Sequence, residues 1–316
     1  MISFKQVSKQ YDDGTEAVKL LDIEVKDGEF FVLIGPSGCG KTTTLKMINR
    51  LIGASSGTVS INGKPIHDYD IHELRWGIGY VLQQIALFPH MTISENIAVV
   101  PEMKKWSKKK ISARVDELLH MVGLEPSTYR NRKPGELSGG QQQRIGVLRA
   151  LAADPEILLM DEPFSALDPF SREKLQDDLL KIQRTIKKTI VFVTHDMKEA
   201  MKLGDRVCLM KDGQVVQIGT PSEIVSHPVN DFVREFVGMQ KLNPDWHDLL
   251  TSAGETVLHG QQPVPYTMPL NELLERISEA EAVPVEKNGR IIGMIHRSNL
   301  LRRVAQYVKE GGRFHE

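Results

Sequence analysis

The sequence predicts an α/β chain built on a mainly parallel sheet, and three observations predict it. Short apolar runs at 30–34, 157–160 and 189–194 alternate with segments of helical spacing, the pattern of strands buried on both faces. The first run leads straight into Gly35-Pro36-Ser37-Gly38-Cys39-Gly40-Lys41-Thr42, which fits G-x-x-x-x-G-K-[ST]. The other two runs end in polar pairs, Asp161-Glu162 and His195-Asp196, where strands hand reactive groups to the rim of a sheet.

The whole chain narrows the reading further. Its 316 residues allow one large domain, a small one and a sizeable core. Lys+Arg number 40 against 41 Asp+Glu, so no global field points to nucleic acid. Cys39 and Cys208 are the only cysteines, which excludes a disulfide framework or a cysteine metal site. Cys39 is read as a small loop residue. The first residues lack the apolar run of a signal peptide, and no stretch approaches the roughly 20 apolar residues of a membrane span. A cytosolic chain is expected, whose membrane role needs partner chains.

In chain order, residues 2–4 and 17–25 read as strands, with Asp12-Asp13-Gly14 as a turn. Tyr11 is open to two readings, a half-buried strand-end aromatic or a stacking platform for a nucleobase. Residues 43–49 continue the glycine-rich turn as a helix. Residues 58–63 form a strand closed by Asn62-Gly63. Residues 77–83 form another, closed by Gln83-Gln84. Leu87-Phe88-Pro89-His90 breaks regular structure, and Thr92 with Glu95 forms a capping box. The basic run 104–110 reads as a solvated loop and first helical turn. Apolar spacing at Ile111, Val115, Leu118, Leu119 and Val122 gives a helix. Residues 137–144 open a helix to about 153. A loop at 163–169 precedes a helix over 170–186. Residues 205–210 and 214–218 read as a hairpin across Lys211-Asp212-Gly213.

After Gly238 the pattern changes. Pro244, Pro263, Pro265 and Pro269 punctuate a polar region, so residues 1–238 are expected to form one domain and 239–265 a linker. A compact unit at 266–316 follows: helix 270–278, strand 282–286, an Asn288-Gly289 turn, strand 291–295 and helix 298–308.

The chemistry follows from strand, turn and helix. Backbone N–H groups at the start of a helix converge on phosphate oxygens, aided by the helix dipole. Lys41 then reaches the β- and γ-phosphates, and the Thr42 hydroxyl binds Mg²⁺. Asp161 ends a buried strand, placed to orient the Mg²⁺ shell. Glu162 is placed to polarise an attacking water as general base. A strand-end acidic cap is the plain alternative for that pair, and a satisfied structural histidine is the plain alternative for His195.

With Leu137-Ser138-Gly139-Gly140-Gln141 added, residues 1–238 resemble the ATP-binding subunit of an ABC (ATP-binding cassette) transporter, because generic phosphate-loop ATPases lack that signature. The resemblance implies a RecA-like core, an antiparallel β-subdomain and an inserted helical subdomain at about 85–155. It implies an ATPase using ATP and Mg²⁺, with Thr43 also in the phosphate cradle. Tyr11 becomes the adenine-stacking residue and His195 the switch that bonds the γ-phosphate. Gln83 senses Mg²⁺ and the lytic water. Ser138, Gly139, Gly140 and Gln141 face the γ-phosphate of a second copy, in a two-fold dimer that sandwiches two ATP molecules. Asp168, in Ser165-Ala166-Leu167-Asp168, takes the key position of the dimer-crossing loop. The groove beginning at Gln84 and ending at Pro89 receives an integral-membrane permease subunit. Phe88 is either a contact there or a core residue.

Finer resemblance, in stretches 46–51, 79–84, 141–150 and 189–200, points to importers of quaternary-amine osmoprotectants such as glycine betaine, carnitine or choline. It implies an extracytoplasmic solute-binding protein as indirect partner and places the chain at the cytoplasmic face of the membrane. An amino-acid or sulfonate importer is the alternative. A soluble ABC ATPase of DNA repair or translation fits less well, because neither a long coiled-coil insertion nor a second cassette is visible. The stretch 283–301 resembles the second half of a CBS (cystathionine-β-synthase) module. That makes the tail either a nucleotide-binding regulator or a stabilising dimer appendage. Arg297, Arg302 and Arg303 there form either a solvated face or an anion contact.

Overall fold

A computed structural model describes residues 1–165, 167–242, 249–251, 262–266, 268, 270–287 and 290–302. The chain divides into two compact units, Met1–Val229 and Asn230–Glu316.

The first unit holds two sheets. β1 (Ile2–Gln10), β2 (Glu16–Val25), β4 (Ser56–Ile61) and β5 (Lys64–Pro65) form an antiparallel sheet in the order β2-β1-β4-β5. The β4–β5 connection is the expected Asn62-Gly63 turn, with φ of 51° and 78°. The second sheet runs β10-β9-β3-β8-β7-β6. Its strands are β3 (Phe30–Ile34), β6 (Ile78–Val81), β7 (Ile157–Asp161), β8 (Thr189–Thr194), β9 (Arg206–Lys211) and β10 (Gln214–Gly219). All pairs are parallel except β9–β10, the expected hairpin. β3, β7 and β8 are buried at every residue, which is why they lack alternation in the sequence.

The register of these three strands sets the site. Ile34 lies opposite Thr194, and Asp161 opposite Val193. Gly35, Glu162 and His195, each one step further on, therefore emerge at the same carboxyl edge. α1 (Lys41–Ile48) leaves that edge. Its Leu45 and Ile48 share one core with Phe4 and Val18 of the antiparallel sheet and Leu159 and Val191 of the parallel one.

Helices complete the unit. α2 (Ile71–Trp76) precedes β6. α3 (Ile93–Met103), α4 (Lys108–Met121), α5 (Pro126–Tyr129) and α6 (Gly139–Leu151) lie between β6 and β7, with α3 packed on both α4 and α6. Ile93, Ile97, Val115, Leu118, Leu119 and Ile145 are buried. Thr92 and Glu95 form the reciprocal capping box expected for α3. α7 (Pro169–Ile186), α8 (Met197–Leu203) and α9 (Pro221–Ser226) follow. β6 stops at Val81, two residues short of the expected strand end, so Gln83 lies in a bend beyond it.

The second unit contains α10 (Asp231–Leu242), β11 (Leu250–Thr251), β12 (Val264–Pro265), α11 (Leu270–Ser278), β13 (Ala282–Lys287) and β14 (Arg290–His296). The sheet order is β11-β14-β13-β12. Two of its strands thus come from the segment 239–265, expected to be a linker. Each is two residues long, too short to leave a periodic signal among prolines. Leu249, Val264, Leu273, Ile277, Val283, Val285, Ile295 and Leu300 form the core. The Asn288-Gly289 turn, Arg303 and the end of the helix expected to reach 308 lie outside the described residues. Arg297 is neither an idle surface charge nor an open anion contact. Its guanidinium donates to the carbonyls of Ile277, Ser278 and Ala280 at 2.8–3.1 Å, closing the C-terminal end of α11.

Candidate nucleotide site

The phosphate loop is shaped by backbone sterics. At Gly35 (φ 152°) a Cβ would sit 2.2 Å from the Met210 carbonyl oxygen, and at Gly40 (φ 98°) 2.3 Å from that of Ala17. Neither position admits a side chain. The loop folds around Lys41, which is 5% exposed. Its Nζ donates to the carbonyls of Gly35 (2.8 Å) and Pro36 (2.9 Å) and lies 3.9 Å from Cys39 Sγ. The sulfur contact is the weakest of the three and the easiest to exchange for an oxygen. Cys39 is buried, and burial pushes its thiol up. That suits a loop residue and not a reactive one.

The N-terminus of α1 is the exception among helices of this unit. Each of the others with six or more residues has a side-chain cap: Asp70, Thr92, Ser107, Ser138, Asp168, Asp196 and Thr220. α1 begins at Gly40 with none. Its first-turn N–H groups, flanked by Ser37 and Gly38, are those a phosphate would cap.

Beside it, Thr42 Oγ1 donates to Asp161 Oδ1 at 2.7 Å. The Tyr80 hydroxyl donates to Asp161 Oδ2 at 3.4 Å, and burial, then the nearby carboxylate, pushes the Tyr80 phenol up. Two hard oxygens side by side fit a Mg²⁺ shell. Among the described residues no cluster of three or more His, Cys, Asp or Glu could hold a metal.

Glu162 follows Asp161 with φ 44°, a left-handed conformation costing a non-glycine residue about 1–2 kcal/mol. Its N–H donates to the Val193 carbonyl at 3.0 Å, which holds the chain in that turn. The result aims the carboxylate at His195, whose Nδ1 lies 3.0 Å from Glu162 Oε2. The His195 side chain is 59% exposed.

Tyr11 follows β1 and is half exposed. Its hydroxyl lies 3.3 Å from Thr43 Oγ1, and Lys9 Nζ sits 5.2 Å from its ring centroid. The ring is thus tethered to the first turn of α1. Gln83 is exposed and makes no hydrogen bond to these groups among the described residues.

The signature segment lies apart from this constellation. Ser138 caps α6 by accepting from Gln141 N–H (3.3 Å), and Gln141 Oε1 accepts from Ser138 N–H (2.9 Å). Gln141 Nε2 also reaches the Tyr129 hydroxyl at 3.3 Å. Gly139 faces open space, while a Cβ at Gly140 would meet Ser171 at 2.9 Å. That contact sets the start of α6 beside the start of α7, which Asp168 caps through Ser171 N–H at 3.0 Å. The Ser171 hydroxyl and N–H hold the Asp168 carboxyl below its usual range. No hydrogen bond or ion pair among the described residues joins residues 138–141 to the phosphate loop.

The segment after β6 is clamped. Asn96, fully buried, accepts from Phe88 N–H at 2.8 Å and donates to the carbonyls of Phe88, Met91 and Thr92 at 3.0–3.2 Å. Arg149 donates to the Ala86 carbonyl at 2.6 Å. Phe88 itself is 41% exposed, against the core reading. Asn96 and Arg149 were not evident in the sequence: Asn96 turns back from α3 onto the irregular segment just before it, and Arg149 reaches that segment from α6, 63 residues on.

Phosphate loop, Asp161-Glu162, His195 and a glycine-rich signature on one unit define an ATP-binding cassette, an ATP-hydrolysing enzyme. The ABC transporter family profile matches residues 18–165, and the CBS domain profile matches residues 262–306. The chain is 51% identical to the glycine betaine/carnitine/choline transport ATP-binding protein OpuCA of Bacillus subtilis over 96% of this chain and 77% of that one. It is 47% identical to the osmoprotectant import ATP-binding protein OsmV of Salmonella typhimurium over 94% of this chain and 79% of that one. A solved dimeric structure of the ATP-binding cassette MJ0796, bound to ADP and Pi after hydrolysis, superposes with a TM-score of 0.63 at 38% identity, covering 70% of this chain and 99% of that one. The chain belongs to the ATP-binding subunits of osmoprotectant ABC importers.

Proposed function

We propose that this chain is the motor subunit of an importer for quaternary-amine solutes such as glycine betaine, carnitine or choline. The solute follows from the names of its relatives, since the cassette does not touch the solute. An amino-acid or sulfonate importer is the second reading. No helix among the described residues is long and apolar enough to cross a membrane, so permease subunits supply the path. The exposed Phe88, on a segment clamped by Asn96 and Arg149, supports residues 84–89 as their docking point at the cytoplasmic face. A solute-binding protein on the far side acts indirectly. Nothing in the charge balance calls for nucleic acid.

ATP lies on the uncapped N-terminus of α1. Gly35, Pro36, Ser37, Gly38, Cys39 and Gly40 shape the cradle, Lys41 meets the phosphates, and Tyr11, tethered to Thr43, stacks on the base. Thr42, Asp161 and Gln83 would hold the Mg²⁺ shell, and the ion would supply neutralisation of charge on the phosphate oxygens. Glu162 polarises the attacking water, and His195 holds Glu162 while contacting the γ-phosphate. Ser138, Gly139, Gly140 and Gln141 of one copy close the site of the other, with Asp168 at the crossing. The dimeric relative supports that arrangement.

The observation that carries this reading is the Glu162–His195 contact of 3.0 Å beside the Thr42–Asp161 pair. Glu162→Gln should lower hydrolysis on the order of 10²–10⁴-fold while ATP still binds, as removal of a general base does. Single-turnover hydrolysis at the native rate would remove Glu162 from that role.

A further inference from the structure

We propose that Arg172 is a positioning residue that ties Leu167-Asp168, at the entry to α7, to the His195 switch; the proposal rests on the roles given to Glu162 and His195 above. Arg172 lies in the first turn of α7, where its N–H donates to the Asp168 carbonyl at 2.9 Å. Its Nη2 donates to the Leu167 carbonyl at 3.2 Å. Its Nη1 lies 4.0 Å from Asp196 Oδ2. Its Nε is buried and makes no hydrogen bond among the described residues. One planar guanidinium therefore bridges a loop carbonyl and the residue directly after His195.

Both ends of that bridge are fixed. Asp196 caps α8 through Lys198 N–H at 2.7 Å and donates its own N–H to Thr194 Oγ1 at 3.0 Å. Ser165 Oγ donates to the Glu162 carbonyl at 3.0 Å. With the Glu162–His195 contact, the chain closes a circuit: Glu162, the loop, Arg172, Asp196, His195 and back to Glu162. The circuit surrounds a cavity of about 50 Å³. Glu162, Ser165, Arg172, Thr194, His195 and Glu199 are among its walls.

Arg172 is the one permanent cation on those walls, facing Glu162, Asp196 and Glu199. Glu199 accepts from Thr194 Oγ1 at 2.6 Å, and burial pushes its carboxyl up to about 7, so it is only partly ionised near neutrality. A displacement of Leu167-Asp168 is thus passed through a forked, rigid side chain to the segment that carries His195. Lysine offers a point charge without the fork and serves one end at a time.

The test uses the full chain. Arg172→Met should lower kcat about 10- to 100-fold, the scale of a misplaced catalytic group, with ATP affinity in equilibrium binding changed less than about twofold. Arg172→Lys should recover part of the loss. If Arg172 acts through His195, adding Arg172→Met to His195→Ala should cost nothing further, a non-additivity that a merely structural role does not produce. Should Arg172→Met fail to fold by thermal melting, Arg172→Lys in both backgrounds carries the same cycle. Full additivity, or native kcat in Arg172→Met, overturns the proposal alone. Native turnover in His195→Ala overturns the switch reading, and this proposal with it.

Discussion

The N-termini of α1 and α6 present one chemistry, a glycine-rich entry to a helix, and resolve it in opposite ways. At α1 no side chain caps the helix, and Lys41 is folded inward onto the loop carbonyls. At α6 Ser138 and Gln141 cap one another's backbone. The first end leaves its donors to a ligand. The second satisfies itself and keeps Gly139 on open space. In the proposed dimer the first end binds nucleotide in its own chain, and the second completes the site of a partner. The difference teaches that one chain can carry two glycine-rich helix entries of unequal readiness, one open and one already capped.

The largest effect that could break this comparison is complementation. Ser138→Arg removes the cap and fills the open face, and Lys41→Ala empties the phosphate loop. Each variant alone should be nearly inactive, while a mixture of the two should regain ATPase activity, because mixed dimers keep one intact composite site. No recovery in steady-state assays of the mixture would place both cradles on one chain's nucleotide.

A smaller effect sharpens the view of the hydrolytic edge. Burial pushes Glu199 up to about 7 from a usual 4.5. Unfolded, it ionises near the usual value; folded, it holds its proton until about 7. Its contribution to stability is therefore complete below about pH 4.5 and is lost as pH rises to about 7. Glu199→Gln keeps an acceptor for Thr194 without the charge. Its melting temperature should gain on the native chain steadily across that interval, then run parallel above it. A constant offset at every pH would contradict the assignment.

The smallest effect concerns the second unit, which we propose to regulate and not to drive turnover. Its core is small, so association with a second copy is expected. A chain ending after Gly238, assembled with its membrane subunits, should keep ATPase activity and lose part of its response to ionic strength, since salt screens exposed charges. An unchanged salt response, with no nucleotide binding to the native tail in calorimetry, would leave it a stabilising appendage.

Much of this was legible in the sequence where spacing and chemistry coincide. The apolar runs before Gly35, Asp161 and His195 named three buried strands, and their register carries those residues to one edge. Thr92 and Glu95 announced α3. What was not legible acts through space. Tyr80 meets Asp161 across neighbouring strands, Asn96 clamps Phe88 from a helix, and Arg172 spans a loop and a strand end. None of these leaves a local pattern. Strands β11 and β12 fall within the expected linker because two residues cannot show a period. Arg297 reads in the sequence as a solvated face or an anion contact, because its actual partners are backbone carbonyls some 20 residues away.

The composite site is tested most directly by a cross-link. Ser37 lies on the phosphate loop, and Gly135, just before the signature, is exposed with open space at its Cβ. Both native cysteines are buried. A Glu162→Gln chain carrying Ser37→Cys and Gly135→Cys is prepared with and without heavy isotopes, mixed, and treated with a short bifunctional thiol reagent. With ATP, mass spectrometry should find the two positions joined between heavy and light chains, and without ATP it should not. Joining only within chains of one isotope, or joining indifferent to ATP, would contradict the head-to-tail dimer.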